Sequence, residues 1–325
     1  MSQTSNRLSR QEQLQSARQL DLCSLIGLSI ASPNQRRIAQ ETLHTAWQRF
    51  IAQTLVDVEA LLLVMDATDT VISGAGAVHF LRDVWATDHQ QFEFYCSKDH
   101  FAEFFAELTS LLRAKHFPIV TETGPPFLGT AILECVVIHS AGLRFHVYRS
   151  TTSTPLSIIA SSPSTADLVF LATGGLSVAY PWLLQDKIAM PLGGAPVQTV
   201  KDAYGAHGFC VIETLKEQTP STPRCVPRGC CPRDARHFGD NFCLSFGYFA
   251  NIPNPPPFNT GSIFARYFDD IRLSYTMTWT SGGQPCGGTY CTTVIPRVVI
   301  PIETRTLGCS LTETYERNIF RPLSP

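Results

Sequence analysis

The sequence predicts an α/β (α+β) protein, a mixed sheet flanked by helices with a β-rich C-terminal extension. Three observations carry that expectation. Residues 70–73 form a short apolar run that enters a turn of tiny residues, Gly74-Ala75-Gly76-Ala77, and leads through a helix into a second strand at 91–96. Residues 131–139 and 143–148 flank Ser140-Ala141-Gly142 and read as a β-hairpin. Residues 99–116 repeat Phe101, Phe104, Phe105, Leu108, Leu111 and Leu112 at helical spacing, an apolar stripe suited to packing on a sheet.

The elements follow in order. Residues 1–31 read as an N-terminal tail, ending in the apolar run 22–31, which is too short to span a bilayer. Ser32-Pro33-Asn34 starts a helix whose Ile38, Leu43, Ala46, Trp47, Phe50 and Ile51 recur at helical spacing, and a second helix covers about 55–65. Asp66-Ala67-Thr68-Asp69 turns the chain into the strand at 70–73. A helix follows at 76–83, with Val78, Leu81 and Val84 inward. Ser97 is placed to cap the helix at 99–116. Leu156-Ser157-Ile158-Ile159 reads as a strand, 165–171 and 178–190 as helices interrupted by Gly174-Gly175 and Pro181, and 197–207 as a helix stopped by Gly208 before a strand at 209–214. Character changes near 215: helical periodicity fades, strand-like runs appear at 242–246, 271–279 and 290–300, and Pro253, Pro255, Pro256 and Pro257 dictate an extended loop. The expected organisation is a tail at 1–31, an α/β domain at 32–215 and a β-rich region at 216–325.

Composition bounds the function classes. A chain of 325 residues with 44% hydrophobic and 16% charged residues buries a substantial core. A net charge of −2 gives no electrostatic signal for nucleic acid or an anionic membrane. No apolar run reaches the length of a membrane span, and cytoplasm or nucleus is the expected location. Eleven cysteines are many, but they do not make a disulfide scaffold in a chain of this length, and the odd count leaves one unpaired in any fully oxidised scheme. Cys23, Cys96, Cys135 and Cys210 lie in apolar segments and are expected as small buried hydrophobes. No nucleophile elbow, Walker loop or dinucleotide fingerprint is present.

Four segments together resemble an uncharacterised fungal family of nucleotidyltransferase-like proteins within the DNA polymerase β-like superfamily. Ile72 through Leu81 is similar to the family's ISGSxALxFF, and Trp85 through Gln91-Phe92-Glu93-Phe94-Tyr95-Cys96 to its W…DLDFYV. Ser153 to Ile159, leading to Ala179-Tyr180-Pro181, and Cys231-Pro232 with Arg236-His237-Phe238-Gly239-Asp240 match two further segments. The resemblance spans about residues 50–245 and implies a nucleotidyltransferase fold. In that fold a Gly-Ser turn cradles a nucleotide phosphate and an Asp-x-Asp pair holds catalytic metal. Two carboxylates at i and i+2 of a strand share a face and clasp Mg²⁺ between them, because Mg²⁺ requires hard anionic oxygens.

Here the turn reads Ser73-Gly74-Ala75 and the pair reads Gln91-x-Glu93. Gln91 offers a neutral oxygen and Ala75 has no hydroxyl. The second hairpin strand, where a third acid belongs, carries Arg144, His146 and Arg149 instead. The resemblance thus assigns Gln91 and Glu93 to the catalytic positions, Glu93 to a weak metal role, and Ser73, Gly74, Ala75 and Arg144 to phosphate binding. It predicts a catalytically degenerate protein that binds a nucleotide or another protein. The alternatives are a weakly active transferase, with Glu93 and Asp88 on a single Mg²⁺, and a non-enzymatic interaction module.

One further cluster has metal-ligand chemistry. Cys225, Cys230, Cys231, His237 and Cys243 offer soft and imidazole donors suited to zinc, although the Cys225-x4-Cys230 spacing is longer than a usual knuckle. The competing reading is a surface loop with one or two buried cysteines, its arginines Arg224, Arg228, Arg233 and Arg236 suited to an anion. For nucleophilic chemistry, Cys96 or Cys135 would need His100, His139 or His146 beside it.

Overall fold

The computed structural model describes residues 8–83, 86, 89–123, 131–193, 195–213, 235–238, 240, 242–248, 277–280 and 298–301. Four helices open the chain: α1 (Arg10–Ala17), α2 (Leu22–Ala31), α3 (Pro33–Ala52) and α4 (Val58–Ala67). Each start is specified locally. Ser9 and Glu12 form a capping box, Asp21, Ser32 and Asp57 accept backbone N–H bonds, and Pro33 takes the first turn of α3, where its missing N–H costs nothing. The segment read as a tail therefore holds two helices, and Ala17, Leu22, Leu25 and Ile26 join the main core.

The next elements are β1 (Val71–Ser73), α5 (Gly74–Arg82), β2 (Gln91–Cys96), α6 (Phe101–Ala114), β3 (Val120–Thr123), β4 (Ile132–Ser140), β5 (Leu143–Ser150) and α7 (Leu156–Ala160). They are followed by β6 (Val169–Ala172), β7 (Gly175–Val178), α8 (Pro181–Gln185), β8 (Ile188–Ala189), α9 (Val197–Tyr204), β9 (Cys210–Val211), β10 (Ala235–His237), β11 (Leu244–Gly247), β12 (Met277–Thr280) and β13 (Val298–Pro301). Among the described residues, eight strands form one mixed sheet in the order β11-β7-β6-β1-β2-β5-β4-β3. Its pairs are antiparallel except β2 with β5, which run parallel. The three segments expected as neighbours, β1, β2 and the β4–β5 hairpin, lie side by side in it. Of the C-terminal strands, β11 extends this sheet, and β10, β12 and β13 form a second, smaller one.

The sheet separates two apolar cores. On one face Phe92, Phe94, Phe145 and Val147 meet the helices, with Trp47, Phe50 and Phe80 stacked and tilted against one another. The stripe on α6 supplies Phe101, Phe104, Leu108 and Leu112 to this core. Ser97 accepts a bond from the His100 N–H (3.2 Å), one turn before the helix begins. On the other face Tyr95, Tyr148 and Phe170 pack with α7 and with Tyr180, Phe238 and Trp279.

Two segments differ from the sequence reading. Residues 156–159, expected as a strand, form α7, where Leu156, Ser157, Ile158 and Ile159 are all buried. Residues 169–171 and Val178, expected within helices either side of the Gly174-Gly175 break, belong instead to the β6–β7 hairpin, in which 169–172 and 175–178 are all buried. An element buried all round shows neither the helical nor the strand period, so its pattern is silent. Cys96 and Cys135 are buried as expected, but Cys210 is exposed on the two-residue strand β9. Among the described residues no helix is long and apolar enough to cross a membrane.

Candidate functional site

The site grows from the junction of β1 and α5. Ser73 ends the strand, and Gly74 turns the chain with φ +69°, a left-handed conformation that only glycine adopts without penalty. Gly76 lets the first turn of α5 approach β2, since a Cβ there would lie 2.9 Å from the Gln91 carbonyl oxygen. Ala75 is exposed at the mouth of the turn. Ser73 itself is buried, and its hydroxyl donates to the Val169 carbonyl (2.6 Å), tying β1 to β6. Its side chain is thus held by the sheet rather than presented to a ligand.

The space beside Gly74 is filled by Glu93. A Cβ on Gly74 would fall 2.1 Å from Glu93 Oε2. The Ala75 N–H and Gln91 Nε2 donate to Oε1 (3.3 and 3.0 Å), and the Tyr95 hydroxyl donates to Oε2 (3.0 Å). Both carboxylate oxygens are therefore engaged inside the protein, at 8% exposure. A carboxylate at a helix N-terminus meets the unsatisfied N–H groups and the positive end of the helix dipole. Burial nevertheless pushes the Glu93 carboxyl up, against the opposing bonds from Tyr95, Ala75 and Gln91.

A raised carboxyl makes the folded state bind more protons than the unfolded chain. The contribution of Glu93 to stability therefore declines as pH rises from the ordinary carboxylate range through its folded value. Glu93→Gln removes that proton, so urea denaturation from pH 5 to 8 should show a flatter stability profile than the wild type. Parallel profiles would show that Glu93 does not titrate in this window.

The register places other polar groups on the same face. Ser73, Glu93, His146, Val137 and Glu122 stand opposite one another across β1, β2, β5, β4 and β3, and Gln91, Arg144 and His139 form the adjacent row. His139 Nε2 lies 2.9 Å from Glu122 Oε1. The Arg144 side chain makes no hydrogen bond or ion pair among the described residues, and it is exposed. His146 stacks on Tyr148, while its Nε2 is shielded from water without a hydrogen-bond partner. Arg149 faces away, donating to the Lys98 carbonyl and pairing with Glu134 at 3.6 Å.

This donor set does not fit two Mg²⁺ ions. The one carboxylate of the Gln91-x-Glu93 pair is already bonded to three donors, and its register neighbours are Ser73 and His146. Among the described residues no group of three or more His, Cys, Asp or Glu side chains is placed to hold a metal ion. Asp88 lies outside the described residues. The sequence reading missed one nearby carboxylate, Asp167, which accepts a bond from the Tyr204 hydroxyl and acts electrostatically, as Glu93 does, on Tyr95 and Tyr148. It sits on a 3₁₀ turn, Thr165–Asp167, inside a segment read as helix, so no sequence signal set it apart.

Of the cysteine cluster, Cys225, Cys230 and Cys231 lie outside the described residues. His237 Nδ1 lies 3.1 Å from its neighbour's carbonyl, Phe238 O, and Cys243 Sγ lies 3.3 Å from the His237 carbonyl and 3.4 Å from Arg236 Nη2. Arg236, grouped in the sequence with the anion-binding arginines, is fully buried. It donates from Nε to Asp240 (2.5 Å) and from Nη2 to the Ala179 carbonyl (2.8 Å), and lies 4.7 Å over the Tyr180 ring. Two of the segments that carried the resemblance, Ala179-Tyr180-Pro181 and Arg236 to Asp240, are thus joined by one buried guanidinium. The nucleophile alternatives lose their chemistry: burial pushes the Cys96 thiol up to about 12 and the Cys135 thiol to about 11, which keeps both protonated. In comparisons with known proteins, no family model matches this chain and no curated protein matches it significantly.

Proposed function

We propose that this chain is a nucleotidyltransferase-fold protein that has lost turnover and acts by binding, with a nucleotide as the favoured ligand and a protein partner as the other. One observation carries the reading. Glu93, at the position the resemblance gives to a catalytic carboxylate, is turned inward: its Oε1 accepts from the Ala75 N–H of the turn and from Gln91, and its Oε2 from the Tyr95 hydroxyl. Phosphoryl transfer depends on metal and positioned charge to stabilise the transferred group. Gln91 is neutral, and Arg144 and His146 stand where further acid is required, so the site repels divalent cations while retaining affinity for an anion.

Incubation with labelled nucleoside triphosphates, Mg²⁺ or Mn²⁺, and protein and RNA acceptors is expected to yield no labelled product. Calorimetry should detect nucleotide binding of equal strength with and without Mg²⁺. A labelled product that disappears in Glu93→Ala would replace this reading with an active transferase. Absence of nucleotide binding would leave a protein partner as the ligand.

A further inference from the structure

We propose that His139, Arg144 and His146 form a binding site for a phosphoryl dianion on the β3–β5 face of the sheet, and that Glu122 is a tethered carboxylate occupying it in the absence of ligand. The inference rests on the nucleotide-binding reading and moves the phosphate from the Gly74-Ala75 turn to β4 and β5. The turn already holds an anion, the Glu93 carboxylate, with its donors satisfied. The neighbouring rows hold basic groups with unused capacity. His139 and Arg144 are directly opposed in the register, and His146 follows two residues along the same face.

The guanidinium of Arg144 is exposed and makes no hydrogen bond or ion pair among the described residues, and His146 Nε2, shielded from water, has no hydrogen bond to lose. The exposed anion on this face is Glu122 on the edge strand β3, 2.9 Å from His139. The His139 bond and the charges of His139, Arg144 and His146 hold the Glu122 carboxyl below its ordinary range. Four side chains from three strands therefore share one electrostatic site. Glu122, whose side chain is 61% exposed, can swing away at little cost, leaving a cationic surface for a ligand. A phosphoryl group suits it, since planar guanidinium and imidazolium donors match its charge and its several acceptor oxygens.

The other titratable groups on this face are Glu93 and Tyr95 on β2, Cys135 on β4 and Tyr148 on β5, with Asp167 acting on the tyrosines. Burial, then Arg144 and His139, keeps the His146 imidazole below its ordinary range, against the attraction of Glu122. A bound dianion reverses that balance, so binding takes up a proton and strengthens as pH falls.

The test titrates the full chain with inorganic phosphate and, separately, with ATP in the absence of metal. It follows the His139 and His146 imidazole nitrogens by NMR and proton uptake by calorimetry in two buffers of different ionisation enthalpy. Both imidazoles should shift on phosphate addition, with affinity for the dianion, corrected for the protonation of phosphate itself, about tenfold higher at pH 6 than at pH 8. Arg144→Gln, a surface change with an unaltered unfolding midpoint, should weaken phosphate about tenfold or more. Glu122→Gln should tighten it about three- to fivefold by removing the tethered competitor, an effect that a merely structural Glu122 would not produce. Phosphate binding of this profile without ATP binding would uphold the site and remove the nucleotide reading. ATP binding indifferent to Arg144→Gln and Glu122→Gln would overturn the site and leave that reading standing. Imidazole signals unmoved by either anion would overturn the site.

Discussion

Gly74→Ala should lower the free energy of unfolding by about 2–4 kcal/mol. Two costs combine. The left-handed backbone at φ +69° penalises any Cβ by about 1–2 kcal/mol. The new Cβ would also fall 2.1 Å from Glu93 Oε2, so the carboxylate must leave its three donors. Urea denaturation of the single and double variants separates these costs. In a Glu93→Ala background the obstacle is gone, and Gly74→Ala should cost only the backbone penalty. Equal losses in both backgrounds would show that the glycine is required for its conformation alone and that Glu93 does not fill the turn.

Arg236→Met should be of similar or greater size, about 3–5 kcal/mol, because it leaves the partly buried Asp240 carboxylate without its counter-charge. The guanidinium side chain is 1% exposed, and Asp240 also accepts the Phe242 and Cys243 N–H groups at 2.9 and 3.0 Å, so the pair organises the approach to β11. Breaking the bond to the Ala179 carbonyl detaches this segment from the end of β7. Although burial raises the Asp240 carboxyl, the Arg236 bond and charge outweigh it and hold the group below its ordinary range. The stability it contributes is therefore lost as pH falls through that depressed value. Adding Asp240→Asn to Arg236→Met should recover part of the loss at neutral pH. Thermal unfolding that places Arg236→Met within about 0.5 kcal/mol of the wild type would assign the clamp no structural weight.

Local signals were legible where an element has one wet and one dry side. The α6 stripe, the Ser32-Pro33 start of α3, the Gly208 stop after α9 and the β4–β5 hairpin all declare themselves through period, capping chemistry or turn residues. The α7 and β6–β7 segments do not, because residues such as Ile158 and Phe170 are apolar on every side and no period survives. The glycines of the β1–α5 junction could be read as a tight turn, and Gln91-x-Glu93 as a pair sharing a face. Where the Glu93 carboxylate points is another matter. Gln91 and Tyr95 flank it on the same face of β2, but the Ala75 N–H that draws it into the turn reaches it only once β1 and β2 are paired in register.

The amino-acid sequence by itself determined the element types with amphipathic or capped signatures, the neighbouring placement of β1, β2 and the hairpin, and the presence of a neutral Gln91 and of basic Arg144 and His146 at polar positions of β2 and β5. Tertiary structure alone decided that Glu93 closes the turn, that Asp167 stands near it, that Arg236 joins two distant segments and that Glu122 meets His139. The physical reason is distance along the chain. Period, caps and turns are encoded within a few residues, whereas the partners of a buried charge are set by sheet register and packing between segments as far apart as Ala179 and Arg236.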